Sequence, residues 1–118
     1  MLVVDDYDDA REMLRMILEH HELDVVEARD GAEAIDSARE HRPDVVLLDL
    51  GLPRVSGWDV ARALKSDPRT SDIPLIACTA FTLARQHERA RDAGCRDIVV
   101  KPIDPRALVE VVRSALAR

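Results

Sequence analysis

The run Val45-Val46-Leu47-Leu48-Asp49-Leu50-Gly51-Leu52-Pro53 constrains the fold more than any other stretch of the chain. Four consecutive apolar residues, two of them β-branched, show no polar alternation, so as a strand they must be covered on both faces. A strand of that kind belongs in the middle of a parallel sheet, with helices keeping water away. It runs out on a carboxylate, Asp49, and then on Gly51 and Pro53, which break the extended backbone. Open α/β sheets hold their ligands at the carboxyl ends of such strands. An aspartate after a strand also serves as an ordinary turn acceptor. This stretch alone does not separate the two roles.

The length of 118 residues fits one domain, residues 1–118, with enough chain for a core. A composition 47% hydrophobic and 34% charged is that of a globular chain rather than a disordered one. The formal net charge of -6 argues against direct nucleic-acid binding, because phosphate backbones demand clustered cations. No apolar run approaches the ~20 residues that span a bilayer, and no signal-peptide pattern opens the chain. Cys78 and Cys95 lie in apolar surroundings without metal-ligand spacing, and read as reduced core residues. The expectation is a cytoplasmic protein with no membrane partner.

Taken in order, Leu2-Val3-Val4 is a short strand running into Asp5-Asp6. Asp8 or Asp9 is positioned to cap a helix whose apolar stripe is Ala10, Met13, Leu14, Ile17 and Leu18. Val25-Val26 forms a second strand, and Gly31 opens a helix with Ala34, Ile35 and Ala38. After the central strand, Ser56-Gly57 begins a helix carrying Trp58, Val60, Ala61 and Leu64, which stops at Asp67-Pro68. Ile73 to Cys78 is the fourth strand and delivers Thr79. A charged helix from about Thr82 to Ala93 ends at Gly94. Cys95 to Val100 is the fifth strand and delivers Lys101-Pro102. Asp104-Pro105 supplies an N-cap and a first-turn proline for a last helix packed through Leu108, Val111, Val112, Ala115 and Leu116. Five uninterrupted βα units imply an α/β fold, a doubly wound five-stranded parallel sheet with helices on both faces.

In such a sheet the strand ends share one edge, which gathers Asp5, Asp6, Asp49, Thr79 and Lys101. Three converging carboxylates repel unless one is protonated or a cation enters. A hard, oxygen-seeking ion such as Mg²⁺ (or Mn²⁺) answers that need and, keeping its waters, also accepts phosphoryl oxygens. Lys101 adds a point charge and Thr79 a hydroxyl donor for the same oxygens. A carboxylate beside such a metal can attack phosphorus to give an aspartyl phosphate. The residues describe a phosphoryl-accepting acid site.

Leu2-Val3-Val4-Asp5-Asp6, the strand ending in Asp49 with Leu52-Pro53 and Gly57, Thr79-Ala80, and Lys101-Pro102 together resemble the receiver domain of bacterial two-component response regulators. The likeness spans essentially the whole chain; each motif alone is weak, and the four in order are specific. Thr79-Ala80-Phe81 and Ala93-Gly94-Cys95 further resemble stand-alone cell-cycle receivers and the receivers of hybrid histidine kinases. The resemblance implies the flavodoxin-like strand order 2-1-3-4-5. It implies Asp49 as phosphoacceptor from a phosphohistidine on a histidine kinase or phosphotransferase. It also implies metal ligation by Asp6 and Asp49, by Asp5 through water, and by the backbone carbonyl of Gly51. Lys101 and Thr79 would bind phosphoryl oxygens, with the Ala80 amide beside them. A downstream target would dock on the fourth helix, fifth strand and fifth helix.

The family's switch pairs the threonine with an aromatic residue three before the lysine, and here that position is Ile98. A β-branched residue stiff at χ1 has no ring to swing. Phe81 and Tyr7 are instead read as shields over the site, with Gly51 leaving the opposite side open. His20-His21 do not share a helix face and do not suggest a metal pair. His41, His87 and the cluster Arg85, Arg89, Arg91 read as solvated surface, and Cys78 as core. The function implied is a phosphorylation-controlled signalling receiver rather than a turnover enzyme. Two alternatives are the receiver portion of a larger hybrid kinase or regulator, and an aspartyl-phosphate phosphohydrolase. Nothing basic or helix-turn-helix-like follows Arg118, so the expectation is that the chain given carries no output domain, while a start at Met1 so close to the strand leaves trimming from a longer parent chain open. Dehalogenase-type phosphohydrolases want an acid two residues after the nucleophile, where Gly51 stands, and a nucleotide-binding domain is the weakest option because no glycine-rich phosphate loop follows the first strand.

Overall fold

Five βα units follow one another as β1 Leu2–Val4, α1 Asp8–His20, β2 Val26–Ala28, α2 Gly31–His41, β3 Val46–Asp49, α3 Gly57–Ser66, β4 Leu75–Thr79, α4 Ala84–Asp92, β5 Cys95–Val100 and α5 Pro105–Leu116. The structure is a computed structural model that describes residues 1–51, 56–80 and 84–117, the side chains of residues 84–86 excepted. Leu52, Pro53, Phe81, a helix start at Thr82 and the Arg85 side chain therefore lie outside the described residues. The strands form one parallel sheet in the order β2-β1-β3-β4-β5, as the alternation of elements implies. None of the described helices is long and apolar enough to cross a membrane.

The sheet's two faces are separate cores because side chains alternate along a strand. Val4, Val46, Leu48, Leu75 and Ala77 meet the apolar stripes of α2, α3 and α4, including Ala34, Val60, Leu64 and Ala90. Val3, Leu47, Ile76 and Cys78 meet α1 and α5 through Leu14, Leu18, Leu108 and Val112. β3 is buried at every position, as its unbroken apolar run requires. In the β4–β5 ladder the register slips, with Leu75 opposite Cys95 and Ile76 opposite Asp97. The extra residue, Arg96, resets the alternation, so Cys95 and Ile98 both face the α2–α4 core while Val99 faces the other. Both cysteines are buried and unpaired, and burial pushes their thiols up, to about 12 for Cys78 and about 11 for Cys95.

Most helix ends follow the sequence. Ser56 accepts the Asp59 N–H at 3.3 Å, and Asp104 accepts the Arg106 N–H at 3.0 Å with Pro105 in the first turn. Three details differ. Neither Asp8 nor Asp9 caps α1: its N-cap is Tyr7, without a side-chain cap, and both acids lie in the first turn, where they still face the positive end of the helix dipole. The second strand is Val26–Ala28 rather than Val25-Val26, and the fourth begins at Leu75 rather than Ile73. Met13 and Leu116, on the margins of their helical stripes, are exposed, because periodicity sets a stripe's direction and not its covered width.

Gly94 ends α4 at φ +102°, a conformation that L side chains rarely adopt. A Cβ there would stand 2.4 Å from the Lys65 Cγ. Lys65 has little freedom to withdraw, since its ammonium donates to the carbonyls of Ser71 and Ile73 at 3.1 and 2.7 Å. Gly94→Ala is expected to destabilise the fold by about 1–3 kcal/mol, from left-handed strain plus a displaced lysine. A lowered urea midpoint at unchanged slope is the readout; an unchanged midpoint contradicts the packing described.

Candidate phosphoryl-acceptor site

Register gathers the chemistry at one edge. Val4 pairs with Leu48, so Asp5 follows β1 beside Asp49 at the end of β3. Asp49 pairs with Cys78, which sets Thr79 one residue beyond, and Thr79 pairs with Val100, which sets Lys101 one beyond again. The Lys101 N–H donates to the Thr79 carbonyl at 2.8 Å and ties the two segments together. The following Lys101–Pro102 peptide is cis.

Each buried carboxylate is oriented by the amide two residues on. The Gly51 N–H donates to Asp49 Oδ1 at 2.9 Å, and the Tyr7 N–H to Asp5 Oδ1, also at 2.9 Å. These are the turns that aspartates make after strands. The second oxygens turn the other way: Asp49 Oδ2 lies 3.3 Å and Asp5 Oδ2 3.8 Å from the Lys101 ammonium. The turn role and the site role of Asp49 are thus one geometry, with one oxygen for each. Asp49 and Asp5 are nearly closed to solvent, at 7% and 2% exposure, while Asp6 is exposed. Carboxylate oxygens of Asp5, Asp6 and Asp49 all lie within 4.8 Å of one another.

One ammonium does not balance three carboxylates. Burial pushes the Asp5 carboxyl above its ordinary value, against the Tyr7 N–H, and the Asp49 charge pushes the same way. Lys101 is held above the ordinary lysine range: burial works against its charge, and the Asp49 and Asp5 carboxylates outweigh that. A hard divalent cation suits this donor set, being all oxygen, anionic, and open on the Asp6 side for waters. The residues present fit such an ion.

Thr79 is buried at the end of β4, and Ala80 beyond it is exposed. Gly51 is exposed, and a Cβ on it would meet only Asp49 Oδ1, at an ordinary 3.5 Å. Tyr7 is 64% exposed beside the acids. It lines an open, largely apolar groove of about 460 Å³ with Met13, Ile103 and the Asp5–Lys101 pair. Ile98 is partly buried against the α2–α4 core, behind the site rather than in it. Phe81 lies outside the described residues. His20 and His21 touch edge to face, with ring centroids 5.3 Å apart, far from the acids in chain position and on α1's opposite end.

Three residues to which the sequence assigns no role at the site make notable contacts. Gly57, at the start of α3, is pressed against the backbone of Asp49 and Leu50. Arg11 is buried and donates to the Asp5 carbonyl. Its sequence signal was a charge at helical spacing with Leu14 and Leu18, on a stripe that should be apolar. Arg89 of the charged helix is exposed, and its guanidinium also lies 4.5 Å from the centroid of the buried Trp58 ring.

Comparison with known proteins agrees with this geometry. Residues 1–113 match the response regulator receiver domain family. The chain is 39% identical over 116 residues to the polar-differentiation response regulator DivK of Brucella anthropi, covering 98% of this chain and 94% of that protein. The chemotaxis protein CheY4 of Vibrio cholerae superposes with a TM-score of 0.92 at 27% identity, covering 98% of this chain and 96% of that one. The receiver domain of a sensor histidine kinase from Pseudomonas aeruginosa, solved with a magnesium ion coordinated in its active site cleft, also gives 0.92, at 26% identity over 99% of this chain and 96% of that one. From its sheet order, its strand-end acids and these likenesses, the chain belongs to the response regulator receiver domain family of two-component signalling.

Proposed function

We propose that residues 1–118 act as one phosphorylation-controlled receiver in which Asp49 accepts a phosphoryl group from a phosphohistidine. The observation that carries this reading is the divided use of the Asp49 carboxylate, with Oδ1 on the Gly51 amide and Oδ2 facing Lys101. Oδ2, beside the Lys101 ammonium, is the oxygen that attacks phosphorus. A P–O bond forms as the P–N bond to imidazole breaks, and the imidazole nitrogen takes up a proton. Asp6, Asp49 and the Gly51 carbonyl, with Asp5 mainly through water, would hold a divalent ion, Mg²⁺ by preference, which would supply positive charge to the phosphoryl oxygens. Lys101 neutralises one of those oxygens, and the Thr79 hydroxyl with the Ala80 amide binds another. Catalysis here is positioning and charge neutralisation.

The donor is a histidine kinase or histidine phosphotransferase, and the apolar groove beside Asp5 and Lys101 offers it a surface adjoining the acceptor. Output passes to a protein target over α4, β5 and α5, triggered by Thr79 closing on the phosphoryl group. With Ile98 in place of an aromatic, no ring rotation follows that closure. Tyr7, exposed beside the acids, shields the aspartyl phosphate from water. The exchange takes place in the cytoplasm, in keeping with two buried thiols left unpaired.

The test is incubation with Mg²⁺ and a small acyl-phosphate donor, followed by intact mass. One labile phosphoryl group is expected on the wild type, none on Asp49→Asn, and none when the metal is chelated. Incorporation that survives Asp49→Asn overturns the assignment. Many turnovers of a phosphorylated metabolite would instead identify a phosphohydrolase.

A further inference from the structure

Arg11 is a buried guanidinium, 9% exposed, placed on the core-facing stripe of α1. Its three nitrogens go three ways. Nη1 donates to the backbone carbonyl of Asp5 at 2.9 Å in a buried bond, Nη2 to Asp8 Oδ1 at 2.6 Å, and Nε to Glu27 Oε1 at 3.0 Å. Glu27 is held in turn by Arg15, whose Nη1 donates to its other oxygen at 2.7 Å. Glu27 sits on β2 opposite Val3, and the Asp5 N–H donates to the Ala28 carbonyl at 3.2 Å. Arg11 therefore fastens the peptide of Asp5, just where it leaves the sheet, to both the neighbouring strand and the first turn of α1. A planar fork spreads five donors over three nitrogens and can hold these three separated acceptors at once, whereas a lysine offers three donors on a single atom.

We propose that Arg11 is the positioning residue for the cation-binding acids: by fixing the Asp5 peptide it sets where Asp5 and Asp6 stand relative to Asp49, and so sets affinity for a divalent ion. This rests on the reading of Asp5, Asp6 and Asp49 as the metal site. The sign of the effect separates positioning from plain electrostatics. Arg11 is a positive charge near a cation site, so if charge alone mattered its removal would tighten Mg²⁺ binding. Loss of positioning weakens binding, as loss of groups that orient metal ligands generally does.

The experiment is calorimetric titration of Mg²⁺ alone into wild type, Arg11→Gln, Arg11→Lys and Gly94→Ala, well below each unfolding temperature. Gly94→Ala loses stability away from the acids and controls for stability as such. The expected result is an affinity weakened roughly tenfold in Arg11→Gln and also weakened in Arg11→Lys, which keeps the charge but not the fork, with Gly94→Ala binding as wild type does. Arg11→Gln binding Mg²⁺ as well as or better than wild type overturns the positioning role and leaves the metal site standing. Wild type that fails to bind Mg²⁺ overturns both. Should Arg11→Gln not fold, Arg11→Lys carries the same comparison.

Discussion

Gly57→Ala is expected to destabilise the protein by about 2–3 kcal/mol and to slow phosphorylation of Asp49 by a small donor at least severalfold. A Cβ at position 57 would lie 2.4 Å from the Leu50 Cα and 2.5 Å from the Asp49 carbonyl oxygen. Both contacts are backbone, so no rotamer change relieves them. Leu50 cannot yield freely, because its N–H donates to the Cys78 carbonyl at 3.1 Å and its side chain is buried. Alanine gains helix propensity over glycine, but by no more than about 1 kcal/mol even in a helix interior. Overpacking against fixed backbone costs more, typically about 1–3 kcal/mol and occasionally beyond. The clash therefore wins. Either α3 backs away from the sheet or the end of β3 shifts, and Asp49 moves with it. Urea unfolding measures the first effect and the rate of phosphoryl incorporation the second. A variant that unfolds at the wild-type midpoint would contradict the close seating of α3 on the acceptor strand.

The fold was legible because its signals are local. β3 reads as buried from four letters, and the caps at Ser56 and Asp104 and the stop at Gly94 are chemistry of one or two residues. Convergence of Asp5, Asp49, Thr79 and Lys101 follows from the parallel order alone, since every strand then ends on the same edge. The remaining features depend on what distant segments bring to one another. Gly57 looks like a helix-start glycine until Asp49 and Leu50 are set against it. Asp8 and Asp9 looked like caps, but the chain enters α1 through the Asp5–Tyr7 turn, which leaves both acids already inside the helix. Arg89 is exposed, as its helix suggests, but nothing in that helix announces its contact with Trp58, which comes from α3. Arg11 makes sense only once Glu27 and the Asp5 carbonyl are beside it.

Asp5→Asn is expected to stabilise the metal-free protein at neutral pH by about 1–3 kcal/mol, while abolishing the added stability that Mg²⁺ confers on the wild type. Burial raises the Asp5 carboxyl, with the Asp49 and Asp6 charges adding to it and the Tyr7 N–H and Lys101 opposing. An acid whose folded value lies above its unfolded value costs stability when ionised. At pH below the unfolded value of 3.8 both states hold the proton and there is no cost. As pH rises through the folded value the unfolded state has already released its proton, so stability falls, and above it the cost is complete. Lys101 runs differently: its raised value means a stabilisation fully present at neutral pH and lost only as pH climbs past 10.5 through the folded value. The Asp5 cost therefore grows as pH rises above 3.8 and is greatest where Asp5 is ionised in the folded state. Asparagine keeps an oxygen for the Tyr7 N–H, so the turn survives while the charge is removed. Unfolding measured across acid to neutral pH, in chelator and in Mg²⁺, should show the variant's advantage shrinking as pH falls toward 4. In Mg²⁺ the order should reverse, since the ion stabilises whichever folded state binds it. An Asp5→Asn protein less stable than wild type in chelator, yet still stabilised by Mg²⁺, would mean that the Asp5 charge is neither a burden to the fold nor a ligand to the ion.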